Sequence, residues 1–318
     1  MAEKKNSILA DPKGKSWDFA QRVFDYVSGK SGDFELDTLN MRDFADGEVK
    51  PAILNNVRGR RVFFIHDSNL EPATWFLQLN LINQALRKSS AEEIIDVFSY
   101  FKFGRQDRRD EPRTSISAKA IAKTIDLYAH GVLTMDIHNP AIDGFFEIRF
   151  DSLYSFPVAV RYLQEKHSGI LENVVVMSPD VGGGPRAQAF AKRLRIEDIV
   201  ICYKVRGTDG RIERLRIAGD VRGRNILLVD DMVDSGGTAI KASQEARVNG
   251  ALNVYGYCAH GLFTKGVDYV TPHFDRFFVG NTLQQTLDAK LEVIDFSSLF
   301  GEAIYRISKN MSLSELFE

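Results

Sequence analysis

Asn225-Ile226-Leu227-Leu228-Val229-Asp230-Asp231-Met232-Val233-Asp234-Ser235-Gly236-Gly237-Thr238 is the stretch on which the fold turns. Its apolar run closes on two adjacent acids, which predicts a buried strand that carries carboxylates to its carboxyl end. Ser-Gly-Gly-Thr then predicts a tight turn, and 239–247 a helix whose first N–H groups, free of intrahelical partners, favour an anion. The hydroxyls of Ser235 and Thr238 can join those N–H groups around a phosphate, with Gly236 and Gly237 letting the backbone come close. Asp230 and Asp231 would repel a phosphate, but ionised carboxylates accept hydrogen bonds from the vicinal hydroxyls of a ribose, and Asp234 joins the residues expected to hold the sugar phosphate. The two halves of the motif together describe a sugar phosphate site. An acid-capped turn with no ligand is the plain alternative reading of the same residues. Gly-x-x-x-x-Gly-Lys-Ser/Thr and Gly-x-Gly-x-x-Gly are both missing, which excludes a nucleoside triphosphatase loop and a dinucleotide fingerprint of the usual form.

Other apolar runs of strand length stand at 61–65, 94–98, 131–135 and 174–177, and helical patterns at 117–130, 158–166 and 185–194. Strands alternating with helices predict a mainly parallel sheet with helices on its faces. The runs occur in both halves of a 318-residue chain, about twice a typical domain of ~150 residues, so two α/β domains are expected. The first comprises 1–156 with a returning segment, 304–318, and the second 157–303; Pro157 marks the boundary. The halves repeat a strand, a turn and a helix in the same order, which suggests duplication.

A net charge of −2 gives no field to hold a polyanion or an acidic membrane, so neither nucleic acid nor membrane is an expected partner. Cys202 and Cys258 are too few for a disulfide framework and have apolar neighbours, which points to buried free thiols and a cytoplasmic protein. The segment 1–15 is charged and unlike a signal peptide, and no apolar run approaches the ~18 residues of a membrane span.

The 225–238 stretch resembles the phosphoribosyl-diphosphate motif of the type I phosphoribosyltransferase fold. Four further segments narrow the resemblance to the ribose-phosphate diphosphokinases: Phe44-Ala45-Asp46-Gly47-Glu48; Gly104-Arg105-Gln106-Asp107-Arg108-Arg109 with Ile116-Ser117-Ala118-Lys119; Leu133-Thr134-Met135-Asp136-Ile137-His138 with Gly144-Phe145-Phe146; and Ser178-Pro179-Asp180-Val181-Gly182-Gly183. It implies two tandem phosphoribosyltransferase-like domains, an ATP-side domain followed by a ribose-5-phosphate-binding one. The implied reaction is Mg²⁺-dependent transfer of the diphosphoryl group of ATP to the 1-hydroxyl of ribose 5-phosphate. It assigns Arg105 and Gln106, with Asp107 and Arg108 on the same loop, to ATP, together with Phe44, Asp46, Gly47 and Glu48 from a neighbouring subunit. That shared site implies a homo-oligomer, and the resemblance makes it a hexamer.

By the same resemblance His138 and Asp180 are the main contributors to the Mg²⁺ environment, with Asp136, Glu147 and Asp151 as outer ligands. Tyr203 to Gly210 has the polar, Gly-rich, cationic composition of a mobile lid, with a solvated hairpin as the alternative. In the family this place carries Lys-Arg-Arg, and Lys204 and Arg206 match the first and third positions as catalytic cations. Val205 departs, as do Ala141, Asp143, His66, Pro185 and the 73–78 stretch, which bear on subunit contacts and regulation. Two rivals stand beside this expectation. A base-salvage phosphoribosyltransferase would share the 230–238 motif alone, and a non-catalytic regulatory paralogue would have lost the lid cations or the sugar-phosphate turn.

Overall fold

The computed structural model describes residues 6–206 and 212–316, with side chains for all of these except 204–206 and 212–214. The chain divides into two compact units: unit 1 takes residues up to Tyr154 and those from Phe296 onward, and unit 2 is Ser155–Asp295.

In unit 1 the elements are β1 (Asn6–Ala10), α1 (Trp17–Lys30), β2 (Phe34–Asp43), β3 (Val49–Ile53), β4 (Arg61–His66), α2 (Pro72–Lys88), β5 (Glu93–Phe98), α3 (Ser117–Ile125), β6 (Gly131–Met135) and β7 (Arg149–Leu153). Its strands form one sheet of order β3-β2-β1-β4-β5-β6-β7, parallel except for the β2–β3 hairpin. β1 and β6 are buried along their whole length and β4 and β5 at all but their first residue, as a parallel sheet covered on both faces requires. Trp75 of α2 is fully buried against Phe98 and Phe101, with ring centroids 5.2 and 6.2 Å away. The predicted helix from 117 is shorter than its pattern: α3 stops at Ile125, and a turn leads to Gly131 at the start of β6.

Unit 2 contains α4 (Phe156–Lys166), β8 (Val174–Ser178), α5 (Gly184–Arg193), β9 (Ile199–Arg206), β10 (Ile212–Ala218), β11 (Asn225–Val233), α6 (Gly237–Val248), β12 (Asn253–Gly261), α7 (Val267–Val270), β13 (Arg276–Gly280) and β14 (Leu291–Ile294). Its sheet runs β10-β9-β8-β11-β12-β13-β14, again parallel but for one hairpin, β9–β10. Strand for strand this is the order of unit 1. The two hairpins therefore occupy equivalent places, as do the β4–α2 and β11–α6 turns. Pro157 does not precede α4 but lies in its first turn, where its missing N–H has no intrahelical partner to lose.

The final helix, α8 (Ser297–Ser308), belongs to unit 1. The return therefore falls at Phe296, where the sequence had suggested 304. Leu299, Phe300, Ala303, Ile304 and Ile307 form one buried face of a continuous helix, so no domain boundary can fall inside it. Phe300 meets Phe19 of α1 edge-on at 5.3 Å.

Candidate active site

In unit 2 the strand order reverses between β8 and β11, which are direct neighbours. Connections leave the carboxyl ends of such a pair in opposite directions and open a crevice between them. The loop after β8 and the turn after β11 both end there, and each depends on one glycine. Gly183 closes the first: its N–H donates to Asp180 Oδ1 at 2.9 Å, and a Cβ there would lie 2.6 Å from Ser178 Oγ. Gly236 closes the second at φ +81°, where a Cβ would meet Val270 Cγ2 at 2.4 Å. With Gly236 as its cap, α6 presents its first N–H groups beside Ser235, Gly237 and Thr238. Asp234 is fixed across the turn, accepting from Thr264 Oγ1 at 2.8 Å while its carbonyl accepts from Thr264 N–H.

Asp230 and Asp231 stand at the rim of this crevice, Asp231 almost wholly buried. A single guanidinium serves both: Arg186 Nη1 lies 3.1 Å from Asp231 Oδ1 and 3.6 Å from Asp230 Oδ1. Burial and the neighbouring Asp231 charge push the Asp230 carboxyl well above the ordinary range, and Arg186 acts against that rise. Arg186, from the first turn of α5, was not singled out in the sequence. Its signal was there, three residues beyond the Asp180–Gly183 loop that supplies the other wall.

The corresponding turn of unit 1 is closed by its own side chain. Asp67, after β4, accepts from Lys15 N–H (2.7 Å), Ser16 Oγ (3.0 Å), Asn69 N–H (2.9 Å) and Asn69 Nδ2 (2.8 Å). Burial opposes its ionisation, but these donors outweigh it and hold the carboxyl below its usual value. A carboxylate thus sits where backbone donors of a phosphoribosyl site would meet an anion. Sequence reading found no motif in 66–72 because the glycines that open the turn in unit 2 have no counterpart there.

Phe44 to Glu48 form the tip of the β2–β3 hairpin: Phe44 N–H donates to Glu48 O (2.9 Å), Gly47 N–H to Phe44 O (3.0 Å), and Gly47 has φ +89°. Phe44 is exposed, with the Arg42 guanidinium 5.0 Å from its ring centre. Arg105 and Arg108 are exposed on the loop between β5 and α3. Gln106 and Asp107 anchor that loop, Gln106 Oε1 accepting from Ser117 Oγ at 2.6 Å and Asp107 Oδ2 from Asn139 Nδ2 at 2.5 Å.

The expected metal ligands do not form a preformed cage: among the described residues no three His, Cys, Asp or Glu side chains gather as a metal cluster. His138 and Asp180 are exposed, His138 after β6 in unit 1 and Asp180 after β8 in unit 2. Asp136 is buried in a left-handed conformation, φ +41°. Glu147 and Asp151 each have a cation of their own: Glu147 Oε1 is 2.5 Å from Lys123 Nζ, and Asp151 Oδ2 is 3.1 Å from Arg149 Nε. Isolated donors of this kind suit an ion that takes most of its oxygens from a polyphosphate and water.

Lys204 and Arg206 lie on β9, paired in backbone register with Leu215 and Ile212 of β10. The segment is the strand of a hairpin rather than a loop up to Arg206; its tip, 207–211, and the side chains of 204–206 lie outside the described residues, so the expectation of a mobile lid does too. Cys202 and Cys258 are buried free thiols.

Comparison with known proteins gives three matching family profiles: the N-terminal domain of ribose phosphate pyrophosphokinase at residues 14–128, a phosphoribosyl transferase domain at 152–254, and a phosphoribosyl synthetase-associated domain at 211–318. Among curated proteins, a ribose-phosphate pyrophosphokinase of Rhizobium meliloti is 40% identical over 290 residues, 89% of this chain and 93% of its own. Another of that name from Chlorobaculum tepidum is 39% identical, over 87% of this chain and 86% of its own. A crystal structure of the phosphoribosylpyrophosphate synthetase from Mycobacterium smegmatis superposes with a TM-score of 0.85 at 26% identity, covering 96% of this chain and all of that one.

Proposed function

The chain belongs to the ribose-phosphate pyrophosphokinase family, and from that membership we propose that it transfers the β,γ-diphosphoryl group of ATP to the 1-hydroxyl of ribose 5-phosphate. The 1-oxygen attacks the β-phosphorus in line, the bond from that phosphorus to the α-phosphate oxygen breaks, the hydroxyl proton is released, and AMP leaves with 5-phosphoribosyl 1-diphosphate as the second product. The observation that carries the reading is the β8–β11 crevice, in which a glycine-closed helix start and a carboxylate pair stand side by side.

In this reading Ser235, Gly236, Gly237 and Thr238 hold the 5-phosphate, while Asp230, Asp231 and Asp234 accept from the ribose hydroxyls. Phe44 stacks on the adenine of a neighbouring subunit's ATP with Asp46 and Glu48 accepting its amino hydrogens, and Arg105, Gln106 and Arg108 bind the nucleotide from the chain's own loop. Because phosphoryl transfer asks for little covalent work, positioning and neutralisation of charge carry the catalysis. Lys204 and Arg206 supply part of that neutralisation. His138 and Asp180 would each contribute to a Mg²⁺ environment, with Asp136, Glu147 and Asp151 as outer ligands, and the ion when bound would supply the rest of the charge neutralisation. The shared ATP site makes the enzyme a homo-oligomer, and the buried free thiols accord with a cytoplasmic location.

Incubation with ATP, ribose 5-phosphate and Mg²⁺ tests the reading: AMP should form in step with 5-phosphoribosyl 1-diphosphate. Folded protein that forms none at high concentration would be the regulatory paralogue. Consumption of 5-phosphoribosyl 1-diphosphate with a free base would make it a salvage transferase.

A further inference from the structure

We infer that Arg186 is a positioning residue of the ribose site, bridging Asp230 and Asp231 so that its charge favours the ionised form of the pair and holds both carboxylates toward the sugar hydroxyls. The inference rests on the sugar-phosphate reading of the crevice and deepens it. Adjacent residues of an extended strand point to opposite faces, so two neighbouring acids have no reason to share a partner unless one is placed between them. Arg186 does so with one nitrogen, 3.1 Å from Asp231 Oδ1 and 3.6 Å from Asp230 Oδ1, and with its side chain three-quarters buried. It comes from the first turn of α5, whose start is set by the same Gly183 that closes the Asp180 loop. The two walls of the crevice are thereby tied together by one guanidinium.

The chemistry needs that tie. An ionised carboxylate offers only acceptors, matching two hydroxyl donors, whereas a carboxylic acid presents a competing donor. Two carboxylates this close, one of them buried, cannot both stay charged without a cation.

Arg186 is the cation paired with both acids among the described residues. On β12 the Cys258 thiol is pushed well above its ordinary value by burial and is neutral, and His260 uses Nδ1 on Thr282 Oγ1 at 2.9 Å. Asp180 after β8 and Asp234 after β11 are further acids. On α6 the charged residues are Lys241 and Arg247, both exposed, and Glu245; on α4, Arg161, Glu165 and Lys166 are all exposed. The side chains of Lys204 and Arg206 on β9 lie outside the described residues.

The test compares wild type with Arg186→Gln and Arg186→Lys. In Arg186→Gln the KM for ribose 5-phosphate should rise about tenfold or more, the size of one charge-assisted contact, with the KM for ATP little changed. The acid limb of kcat/KM for ribose 5-phosphate should move to higher pH by about one unit, and Arg186→Lys should restore part of both effects. The phosphate of the substrate titrates nearby but equally for all three proteins. Carboxyl-carbon NMR titration of Asp230 and Asp231 gives a readout without turnover: their titration should shift upward in Arg186→Gln. An unshifted acid limb and unshifted carboxyl titration would overturn the role of Arg186. If wild type neither turns over nor binds ribose 5-phosphate, the sugar-phosphate reading falls instead, while the carboxyl titration still decides whether Arg186 controls the pair. A variant that only loses thermal stability, with both titrations unmoved, would reduce Arg186 to a structural ion pair.

Discussion

His66 on β4 and Asp96 on β5 are buried two rungs apart on adjacent parallel strands, Phe64 pairing with Asp96 and His66 with Phe98, and their titrations pull the stability of unit 1 in opposite directions. Asp96 Oδ2 accepts from Asn83 Nδ2 at 2.7 Å, and among the described residues no salt bridge reaches it. Burial raises its pKa to about 7 against the Asn83 hydrogen bond, which opposes that rise. His66 is fully buried between Phe64 and Trp75, its Nε2 2.9 Å from Trp75 O. Burial lowers its pKa to about 4, although the Trp75 carbonyl favours the charged form.

From Asp96 a first prediction follows. Between the unfolded value near 4 and the folded value of about 7, the native state holds a proton that the unfolded chain has released, so stability falls as pH rises through that window and levels off above it. Asp96→Asn keeps a hydrogen-bonding partner for Asn83 without a charge to bury. The variant should unfold at a higher temperature than wild type at pH 8, by an amount worth up to about 4 kcal/mol, and the gap should close toward pH 4. Thermal unfolding of both proteins across pH 4–8 measures it; a gap that does not change with pH would mean Asp96 is solvated and ionised in the fold.

His66 gives the opposite slope. Below its ordinary value near 6.5 the unfolded chain takes up a proton that the buried ring refuses until about pH 4, so stability is lost as pH falls through that range. His66→Gln replaces the ring with an amide that can donate to the Trp75 carbonyl without titrating. Urea unfolding at pH 7 and pH 5 should show a smaller loss in the variant than in wild type. Equal losses would place the acid sensitivity elsewhere.

Gly236 and Gly237 look interchangeable in sequence but are not. Ala at 236 would hold a Cβ at φ +81°, costing about 1–2 kcal/mol in backbone strain, and would drive it into Val270. Ala at 237 enters α6 with its closest neighbour 3.8 Å away. Gly236→Ala should therefore lower the melting temperature and raise the KM for ribose 5-phosphate, whereas Gly237→Ala should fold as wild type does. Comparable melting curves for the two variants would show that the turn can relax.

The 225–238 stretch made the fold legible because each part of it does one physical job: burial ends at Val229, charge begins at Asp230, and the left-handed position falls on a glycine. The same logic recovered β4, β5, β6, β8 and α5 to within about a residue at each end. Less visible was the start of the chain, where β1 lies inside its sheet between β2 and β4 but is only five residues long and mixes Asn6 and Ser7 with three apolar residues. Also hidden was the return to unit 1, because the buried face of α8 follows directly on β14 with no linker between. Arg186 escaped notice for a different reason: an arginine in a helix's first turn reads as solvated until the fold sets it against two acids from a strand some forty residues on.

Lys204 carries the remaining prediction. It lies on β9, in the hairpin that occupies in unit 2 the place of the Phe44–Glu48 hairpin in unit 1, and Val205 interrupts the run of cations between it and Arg206. A compact ammonium that meets the diphosphoryl group only as charge develops should act on kcat and leave substrate binding nearly as it is. Losing one such contact typically costs about 3 to 4 kcal/mol, so Lys204→Ala should slow turnover by at least ~10²-fold with a normal melting temperature. Arg206→Ala should behave alike and Val205→Ala should be mild. Steady-state kinetics on the three variants separate the outcomes. Near-normal kcat in Lys204→Ala would remove this strand from catalysis and move the task to a cation such as Arg105, whose replacement should then show the kcat effect in its place.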